Sequence, residues 1–274
     1  MPELPEVETV LQTLQKQIEH RKITDIEIRW VNIIAYPQPE VFQRVLTGHE
    51  FTGFHRLGKY LIFTLQDLTL ICHLRMEGKF YLEPSDSPLE KHTHVIFHLD
   101  DGRQLRYNDT RKFGKMYLYQ PGEKWLALNN VGLDPWDRQL TTDYLTAKLH
   151  HKKMPLKQAL LDQSIIAGIG NIYADEICFA CRKSPMLSVD NLTEKDLQEL
   201  INQTRSILQE AIAAGGTTIR SYTSSLGISG RFQQSLQVHT RVNQPCHCCQ
   251  TKIVKTRVAG RGTYYCPHCQ ELKL

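Results

Sequence analysis

The residues best suited to chemistry stand at the start of the chain. Met1 is followed by Pro2 and Glu3, so removal of the initiator methionine would leave a secondary amine beside a carboxyl group. An α-amino group titrates near pH ~8, which leaves part of it neutral at physiological pH. A neutral amine attacks a masked aldehyde to form a Schiff base, and Glu3 can transfer protons. The same residues also suit an ordinary helix start, and both interpretations stay open.

Two Cys-x2-Cys pairs stand near the end of the chain. Their members are Cys246, Cys249, Cys266 and Cys269. Two such pairs complete a tetrahedral zinc site that leaves no position for water. The spacing therefore predicts one structural Zn²⁺ that folds a segment too short for its own core. His247, Cys248 and His268 are alternative ligands, although Cys248 would break the two-residue spacing.

The segment between the cysteine pairs, KTRVAGRGTYY at 255–265, has the outline of a β-hairpin. We expect Arg261, which stands between Gly260 and Gly262, at its tip. The glycines would allow a close approach to a ligand, and an arginine suits a phosphate; a solvated tip is the alternative. Basic residues greatly outnumber acidic ones over 231–274, which favours a polyanionic partner.

Length and composition indicate an ordinary globular protein. The chain has 274 residues, 41% hydrophobic and 23% charged, enough for a good core and two domains with a small appendage. No run approaches the ~20 apolar residues of a membrane span, and the N-terminus lacks a signal-peptide pattern. We therefore expect a cytoplasmic location, where cysteines are thiols or metal ligands. Cys72, Cys178 and Cys181 are interpreted as buried thiols.

The spacing of apolar residues indicates the elements that position these sites. Residues 5–19 have the pattern of one helical face, and 22–119 consist mainly of strand-like runs. An antiparallel sandwich or barrel with one helix beside it is expected. From 142 to 214 the pattern is helical, with Thr193 as the N-cap of the longest helix. Residues 215–235 are polar and glycine-rich, typical of a mobile loop.

A glycine-rich turn, AGIGN at 167–171, separates two of the predicted helices. Its glycines permit a tight turn that leaves amide groups open to an anion at the next helix N-terminus. A plain helix–helix turn without a ligand fits the same residues.

Eight strings in order along the chain resemble the formamidopyrimidine-DNA glycosylase family, bifunctional enzymes that excise oxidised purines. They are PELPEVET at 2–9, LGKYL at 57–61, HLRMEG at 73–78, EKHTH at 90–94, RYNDTRKFG at 106–114, IAGIGNIYADE at 166–176, AAGGTT at 213–218 and RGTYYCPHC at 261–269. The resemblance implies an α+β multidomain fold. We expect an N-terminal catalytic helix and β-sandwich at 1–130, a linker at 131–141, a helix-two-turn-helix DNA-binding domain with the mobile loop at 142–235, and a zinc finger at 236–274.

The same resemblance implies the catalytic residues. Pro2 would attack C1′ of the damaged nucleotide, and Glu3 would activate the sugar or the leaving base. Lys59 is tied to the glycosylase step or to β-elimination, and Arg261 to δ-elimination. Since the pKa of an arginine exceeds about 12, Arg261 suits a phosphate clamp better than a proton donor.

DNA contacts are implied as well. A damaged base must be rotated out of the duplex, and Met76, Arg111 and Phe113 would fill the vacated space. Arg111 can donate to the widowed cytosine. Arg75 stands where the family often has glycine, and Thr110 where proline is frequent. Thr110 would make the loop that carries Arg111 and Phe113, the wedge loop, less stiff than proline would. We expect both departures to affect which lesions the protein accepts.

Further matches fall on residues suited to phosphate binding. His92, Lys152 or Lys153, and Asn171 match DNA contacts of the family, as do Arg111 and Arg261. Lys157 matches another basic position, but as a helix lysine it is expected to be exposed.

The leading hypothesis is a base-excision-repair enzyme that acts on double-stranded DNA containing 8-oxoguanine, formamidopyrimidines or abasic sites. A single site acting on DNA needs only a monomer. Three alternatives remain: the pyrimidine-directed relative endonuclease VIII, a non-catalytic zinc-finger protein that binds damaged DNA, and a zinc-ribbon protein of translation or transcription. The last explains the C-terminus but nothing in residues 1–120.

Overall fold

The computed structural model describes residues 1–217 and 230–270. The chain divides into two compact units. One comprises Met1–Asn129 with Thr217–Gly230, and the other Asn130–Gly216 with Arg231–Leu274. Most of the loop predicted at 215–235 lies outside the described residues.

The first unit begins with helix α1 (Leu4–Ile18), close to the predicted span. Pro5 stands in its first turn, where no backbone donor is needed. Leu4, Leu14 and Ile18 are fully buried. Because full burial of one such side chain is worth roughly 1.5–3 kcal/mol, the apolar face holds the helix on the core.

Two sheets follow α1, and a short second helix interrupts the succession of strands along the chain. The strands are β1 (Ile23–Ile28), β2 (Ile34–Tyr36), β3 (Gly53–Leu57), β4 (Tyr60–Leu65), β5 (Leu68–His73), β6 (Lys79–Pro84), β7 (Thr93–Leu99), β8 (Arg103–Asn108) and β9 (Lys115–Tyr119). One sheet has the order β1-β7-β8-β6, and the other β2-β9-β5-β4-β3. Only the short β2–β9 pair is parallel among these. Both sheets contribute to one hydrophobic core. Across it the rings of Phe63 and Phe80 pack edge to face, with 6.4 Å between the ring centres.

The sequence did not predict helix α2 (Pro39–Leu46) inside the β region. Its apolar residues Val41, Phe42, Val45 and Leu46 do have helical spacing, but the helix is only eight residues long and lies among strand-like runs, which concealed it.

The second unit is helical and ends in a hairpin. Its elements are α3 (Thr142–Leu149), α4 (Leu156–Leu161), α5 (Asn171–Ala180), α6 (Glu194–Ala213), β10 (Val254–Val258) and β11 (Arg261–Tyr265). The predicted cap is confirmed, because Thr193 Oγ1 accepts the N–H of Asp196 at 3.2 Å and Asp196 accepts the N–H of Thr193 at 3.0 Å. Among the described residues, no helix has both the length and the apolar character needed to cross a bilayer.

Candidate active site

Met1 is 45% exposed, and the chain enters the first unit directly after it. Pro2 is buried, and Glu3 is only 4% exposed. The N–H of Glu3 donates to Glu6 Oε2 at 2.8 Å. Glu6 Oε1 accepts both the N–H and the hydroxyl of Thr217, at 2.8 and 3.0 Å. Glu6 thereby ties the start of α1 to Thr217, a function that the sequence patterns did not reveal.

Buried charges surround this amine. Burial lowers the pKa of the terminal amino group, carried by Met1 here, below its ordinary value. Glu3, Glu6 and Glu77 oppose that shift, whereas the Lys59 ammonium adds to it. Lys59 is itself buried, on the turn between β3 and β4. The structure therefore brings together Pro2, Glu3 and Lys59, and it adds two carboxylates that sequence reasoning missed.

His73 lies at the end of β5, beside this cluster. Burial, together with the charges of Arg75 and Lys59, lowers its pKa to about 3, so the imidazole is neutral. Its Nδ1 accepts the N–H of Arg75 at 2.9 Å, which leaves the proton on Nε2. Arg75 has φ +53°, a left-handed conformation that favours glycine. Arginine is therefore disfavoured in this backbone conformation, and the hydrogen bond from the Arg75 N–H to His73 stabilises it.

The three predicted wedge residues are exposed in the first unit. Met76 is 38% and Phe113 49% exposed, so neither packs in the β-core. The Arg111 guanidinium carbon lies 4.8 Å from the centre of the Phe113 ring. Exposed apolar side chains beside an arginine suit insertion into a base stack.

The two loops that carry these residues meet at a tyrosine hydroxyl. A Cβ added at Gly78 would lie 2.2 Å from the Tyr107 oxygen, and one at Gly114 only 1.7 Å from it. Tyr107 is buried, so it cannot move aside. Both glycines are thus required by a close approach.

His92 directly precedes β7 and is half-buried. It lines a polar cavity of about 320 Å³ together with Glu77 and Asn108. Its carbonyl oxygen accepts the N–H of Asp109 at 3.0 Å, which places the predicted phosphate contact next to the wedge loop.

Arg261 occupies the second unit and is exposed. The expectation that it forms the hairpin tip is wrong: the turn residues are Ala259 and Gly260, with φ +48° and +74°. Arg261 begins β11 and pairs with Val258. A two-residue turn with positive φ at both positions matches the twist of a hairpin, which moves the arginine into the strand.

Lys157 is buried, and the expectation of an exposed helix lysine is wrong. Its Nζ donates to Asp175 Oδ1 at 2.7 Å and to the carbonyl oxygen of Gly262 at 2.8 Å. Asp175 Oδ2 accepts from His239 Nδ1 at 2.7 Å. Because α4 contacts α5 and α5 contacts β11, this face of the short helix is covered.

The other predicted contacts of the second unit differ in surroundings. Asn171 begins α5, and its Nδ2 donates to the carbonyl oxygen of Gly262 at 3.1 Å. This side-chain amide therefore holds the hairpin, and the expectation that amide groups of the glycine turn face an anion stays a prediction. Between α3 and α4, Lys152 is half-buried and Lys153 is exposed.

The four cysteines converge as predicted. Their sulfur atoms all lie within 4.8 Å of one another, and this is the only cluster of metal-ligating His, Cys, Asp or Glu side chains in the described part of the chain. The Cys246–Cys269 and Cys249–Cys266 sulfur distances are 3.9 and 3.4 Å. With Zn–S bonds of about 2.3 Å, a tetrahedral site has sulfur–sulfur edges of about 3.8 Å, so the group fits one Zn²⁺. Cys248 is exposed and outside the cluster.

The other cysteines agree with their interpretation as buried thiols. Cys72, Cys178 and Cys181 are all buried. Burial raises the pKa of Cys181 to about 12, and it raises those of Cys72 and Cys178 as well. They therefore stay protonated and unreactive.

Three family models match successive parts of the chain. The formamidopyrimidine-DNA glycosylase N-terminal domain matches residues 1–116, and the H2TH domain of the same enzyme matches 131–223. The zinc finger found in FPG and IleRS matches 243–272. This chain belongs to the formamidopyrimidine-DNA glycosylase family. The resemblance stated from the sequence is confirmed, and a zinc-ribbon protein without the N-terminal domain is excluded.

Relatives of this family match over the full length. The formamidopyrimidine-DNA glycosylase of Bacillus subtilis is 45% identical over 276 residues, covering 100% of both chains. That of Oceanobacillus iheyensis is 44% identical, covering 100% of this chain and 99% of its own. A Lactococcus lactis FPG variant in complex with Fapy-dG-containing DNA has a TM-score of 0.92 at 38% identity, covering 98% of this chain and 100% of its own. The Lactococcus lactis Fpg complex with abasic-site DNA has a TM-score of 0.91 at 38% identity, covering 98% and 99%.

Proposed function

We propose that this chain is a bifunctional DNA glycosylase and AP lyase of base excision repair. It excises oxidised purines from double-stranded DNA through a Schiff base at Pro2 and then cleaves the strand. The observation that carries the proposal is the burial of Pro2 and Glu3 beside Lys59, since the first residues of a chain are ordinarily poorly ordered unless contacts tie them down.

The organisation of the chain supports the same conclusion. We assign catalysis to 1–130, a linker to 131–141, DNA binding to the helix-two-turn-helix domain at 142–235, and the zinc finger to 236–274. The family relatives named above come from bacteria, and we place the reaction in the bacterial cytoplasm, where the DNA lies. One Zn²⁺ held by four thiolates is structural, and it supplies folding energy to the segment that carries Arg261.

DNA binding begins with extrusion of the damaged nucleotide. Unstacking and unpairing cost a few kcal/mol, and the exposed wedge residues Met76, Arg111 and Phe113 offset part of that cost by filling the gap. Arg111 donates hydrogen bonds to the widowed cytosine. His92, Lys152, Lys153, Asn171 and Arg261 are assigned to the DNA backbone, where cations release condensed counterions.

Base excision follows at the amino terminus. The neutral Pro2 nitrogen attacks C1′, the glycosyl bond breaks, and its electron pair leaves with the base. Glu3 supplies a proton to the sugar oxygen or the leaving group, the ring opens, and C1′ becomes a cationic iminium. Burial lowers the pKa of the Met1 amine, and we expect the same surroundings to favour the unprotonated, nucleophilic form of the Pro2 amine once Met1 is removed.

Strand cleavage uses the iminium as an electron sink. Loss of the C2′ proton expels the 3′ phosphate, and loss of the C4′ proton then expels the 5′ phosphate. Lys59, buried near the amine, assists the first elimination through its charge. Arg261 binds the departing phosphate, since a guanidinium stays charged and offers paired donors.

Borohydride trapping tests the proposal. Purified protein is mixed with duplexes that contain 8-oxoguanine opposite cytosine, thymine glycol, or an abasic site, and borohydride reduces any iminium to a stable adduct. We expect adducts on the 8-oxoguanine and abasic duplexes, and peptide mass spectrometry should place them on the peptide that begins at Pro2.

Two comparisons make the result decisive. Pro2→Gly replaces the ring amine and should strongly reduce adduct formation, and protein that retains Met1 should form none at Pro2. If intact mass shows that Met1 has been removed and yet no substrate gives an adduct, the lyase mechanism is wrong.

The thymine glycol duplex tests the lesion range. A related Lactococcus lactis FPG has been crystallised with DNA that contains an oxidised pyrimidine. We propose that purine lesions are preferred here, and a thymine glycol rate equal to the 8-oxoguanine rate would instead favour an endonuclease VIII-like activity.

A further inference from the structure

The wedge loop, residues 109–114 between β8 and β9, is organised around one buried carboxylate. Asp109 is 1% exposed. Its Oδ1 accepts the N–H of Arg111 at 3.0 Å, and its Oδ2 accepts those of Phe113 and Gly114 at 2.9 and 2.8 Å. These bonds are charge-assisted. The three N–H groups lie outside helices and strands, so the Asp109 carboxylate supplies the acceptors that a helix or sheet would otherwise provide.

The backbone of Asp109 joins this loop to the neighbouring strand. Its N–H donates to the carbonyl oxygen of His92 at 3.0 Å. Its own carbonyl oxygen accepts from His94 Nε2 at 2.8 Å and from the N–H of Lys112 at 3.2 Å. These bonds hold the Asp109 backbone against residues 92–94, so its carboxylate is fixed relative to the neighbouring strand.

Two lysines brace the loop from outside. Lys112 has φ +58°, and its Nζ lies 3.9 Å from the centre of the Trp30 ring. Lys115 Nζ donates to the carbonyl oxygen of Asn32 at 2.6 Å. Both contacts link the wedge loop to the segment that follows β1, so the loop is fixed at its tip and at its end.

Fixing the loop matters because its side chains are exposed. Arg111 and Phe113 make few contacts in the free protein that would order them, and a loose loop would lose conformational entropy on insertion into DNA. Thr110 provides none of the stiffness of a proline. The three bonds to Asp109 restrict the backbone of Arg111 and Phe113 before DNA arrives.

We propose that Asp109 is a positioning residue that preorganises Arg111 and Phe113 for insertion into duplex DNA. The proposal rests on the proposed glycosylase function. Asp109 touches neither the substrate nor the amine; it acts through the backbone of the two wedge residues.

Asp109→Asn tests the proposal with almost no change in shape. The amide nitrogen of Asn would face a backbone N–H donor, so at least one of the three bonds is lost. Asp137→Asn is the matched control, because the Asp137 carboxylate accepts the N–H of Gln139 at 2.8 Å in an exposed turn.

The first readout is hydrogen exchange of the free protein. Among the amides of Arg111, Phe113 and Gly114, we expect those that lose their acceptor to exchange at least tenfold faster in Asp109→Asn, and all three to exchange at the wild-type rate in Asp137→Asn. Unchanged exchange at all three amides would overturn the proposal whatever the activity.

The second readout separates positioning from general stability. We expect Asp109→Asn to lower the ratio of 8-oxoguanine duplex excision to trapping on a single-stranded abasic oligonucleotide at least tenfold. In an Arg111→Ala, Phe113→Ala background that factor should shrink to less than threefold, because the groups being positioned are gone. A full tenfold effect in both backgrounds would overturn the proposal.

A third variant covers failure of Asp109→Asn to fold. Trp30→Ala removes an exposed ring beneath Lys112, and we expect a two- to fivefold fall in the same ratio. An unchanged ratio contradicts the bracing argument. Wild-type protein without any adduct would refute the proposed function itself, whereas active wild type with unaltered variants refutes only the role of Asp109.

Discussion

Lys157 Nζ donates to the carbonyl oxygen of Gly262 at 2.8 Å, so a buried helix lysine fixes the peptide that follows Arg261. Asn171 donates to the same oxygen at 3.1 Å. Asp175 balances the lysine charge and also accepts from His239 and from the N–H of Tyr264. The phosphate clamp proposed for Arg261 therefore depends on a network inside the second unit as well as on the zinc.

Replacement of Lys157 by methionine should be strongly destabilising. The change leaves the Asp175 carboxylate buried without its ammonium partner, which typically costs about 3–5 kcal/mol. Urea unfolding of the full chain measures the loss. Lys195→Met, at an exposed position of α6, is the control and should change the free energy of unfolding by less than about 0.5 kcal/mol. Equal values for the two variants would show that the buried pair is not important for stability.

Zinc removal should weaken DNA binding without blocking the amine. We expect one zinc per chain by elemental mass spectrometry, none in Cys246→Ser, and one in the control Cys248→Ser, whose side chain is exposed. Loss of zinc unfolds the segment that holds Arg261, because it has little core of its own. Unchanged DNA affinity after chelation would contradict the assigned role of the hairpin.

The rate of adduct formation should rise with pH and reach its plateau before pH ~8, the ordinary pKa of an α-amino group. Burial lowers the pKa of the amino terminus, and an amine is nucleophilic only above its pKa. We expect the same charges to act on Pro2 after Met1 removal. Lys59→Met removes a positive charge and should move the midpoint to higher pH; Glu77→Gln removes a negative charge and should move it lower. Single-turnover trapping on abasic DNA measures both, and shifts in one common direction would refute this electrostatic picture.

Gly114→Ala should disrupt the wedge loop. The new Cβ would lie 1.7 Å from the Tyr107 oxygen, which is buried and cannot yield. Overpacking of this kind costs about 1–3 kcal/mol or more. Gly262→Ala is a useful contrast, since its Cβ would meet only Lys255 at 3.6 Å. Thermal unfolding compares them, and equal melting temperatures would mean that Tyr107 moves.

Local patterns were sufficient for much of the fold. The runs YLIFTL and KMYLY coincide with β4 and β9, because strand propensity and turn signals act over a few residues. The cap at Thr193 and the cysteine spacing are equally local. Helix α2 was missed because its apolar spacing extends over only eight residues inside a region of strand-like runs.

The sequence by itself determined the family and the zinc ligands and predicted a reactive pair at Pro2 and Glu3, because all three depend on the identities of residues close together in the chain. Only the tertiary structure decided that Glu6 bonds to Thr217, 211 positions away, and that Lys157 is buried against Gly262, 105 positions away. Burial and hydrogen bonding over such separations depend on how distant elements pack. No local pattern records them, and for the same reason the central position of Asp109 emerged only from its bonds.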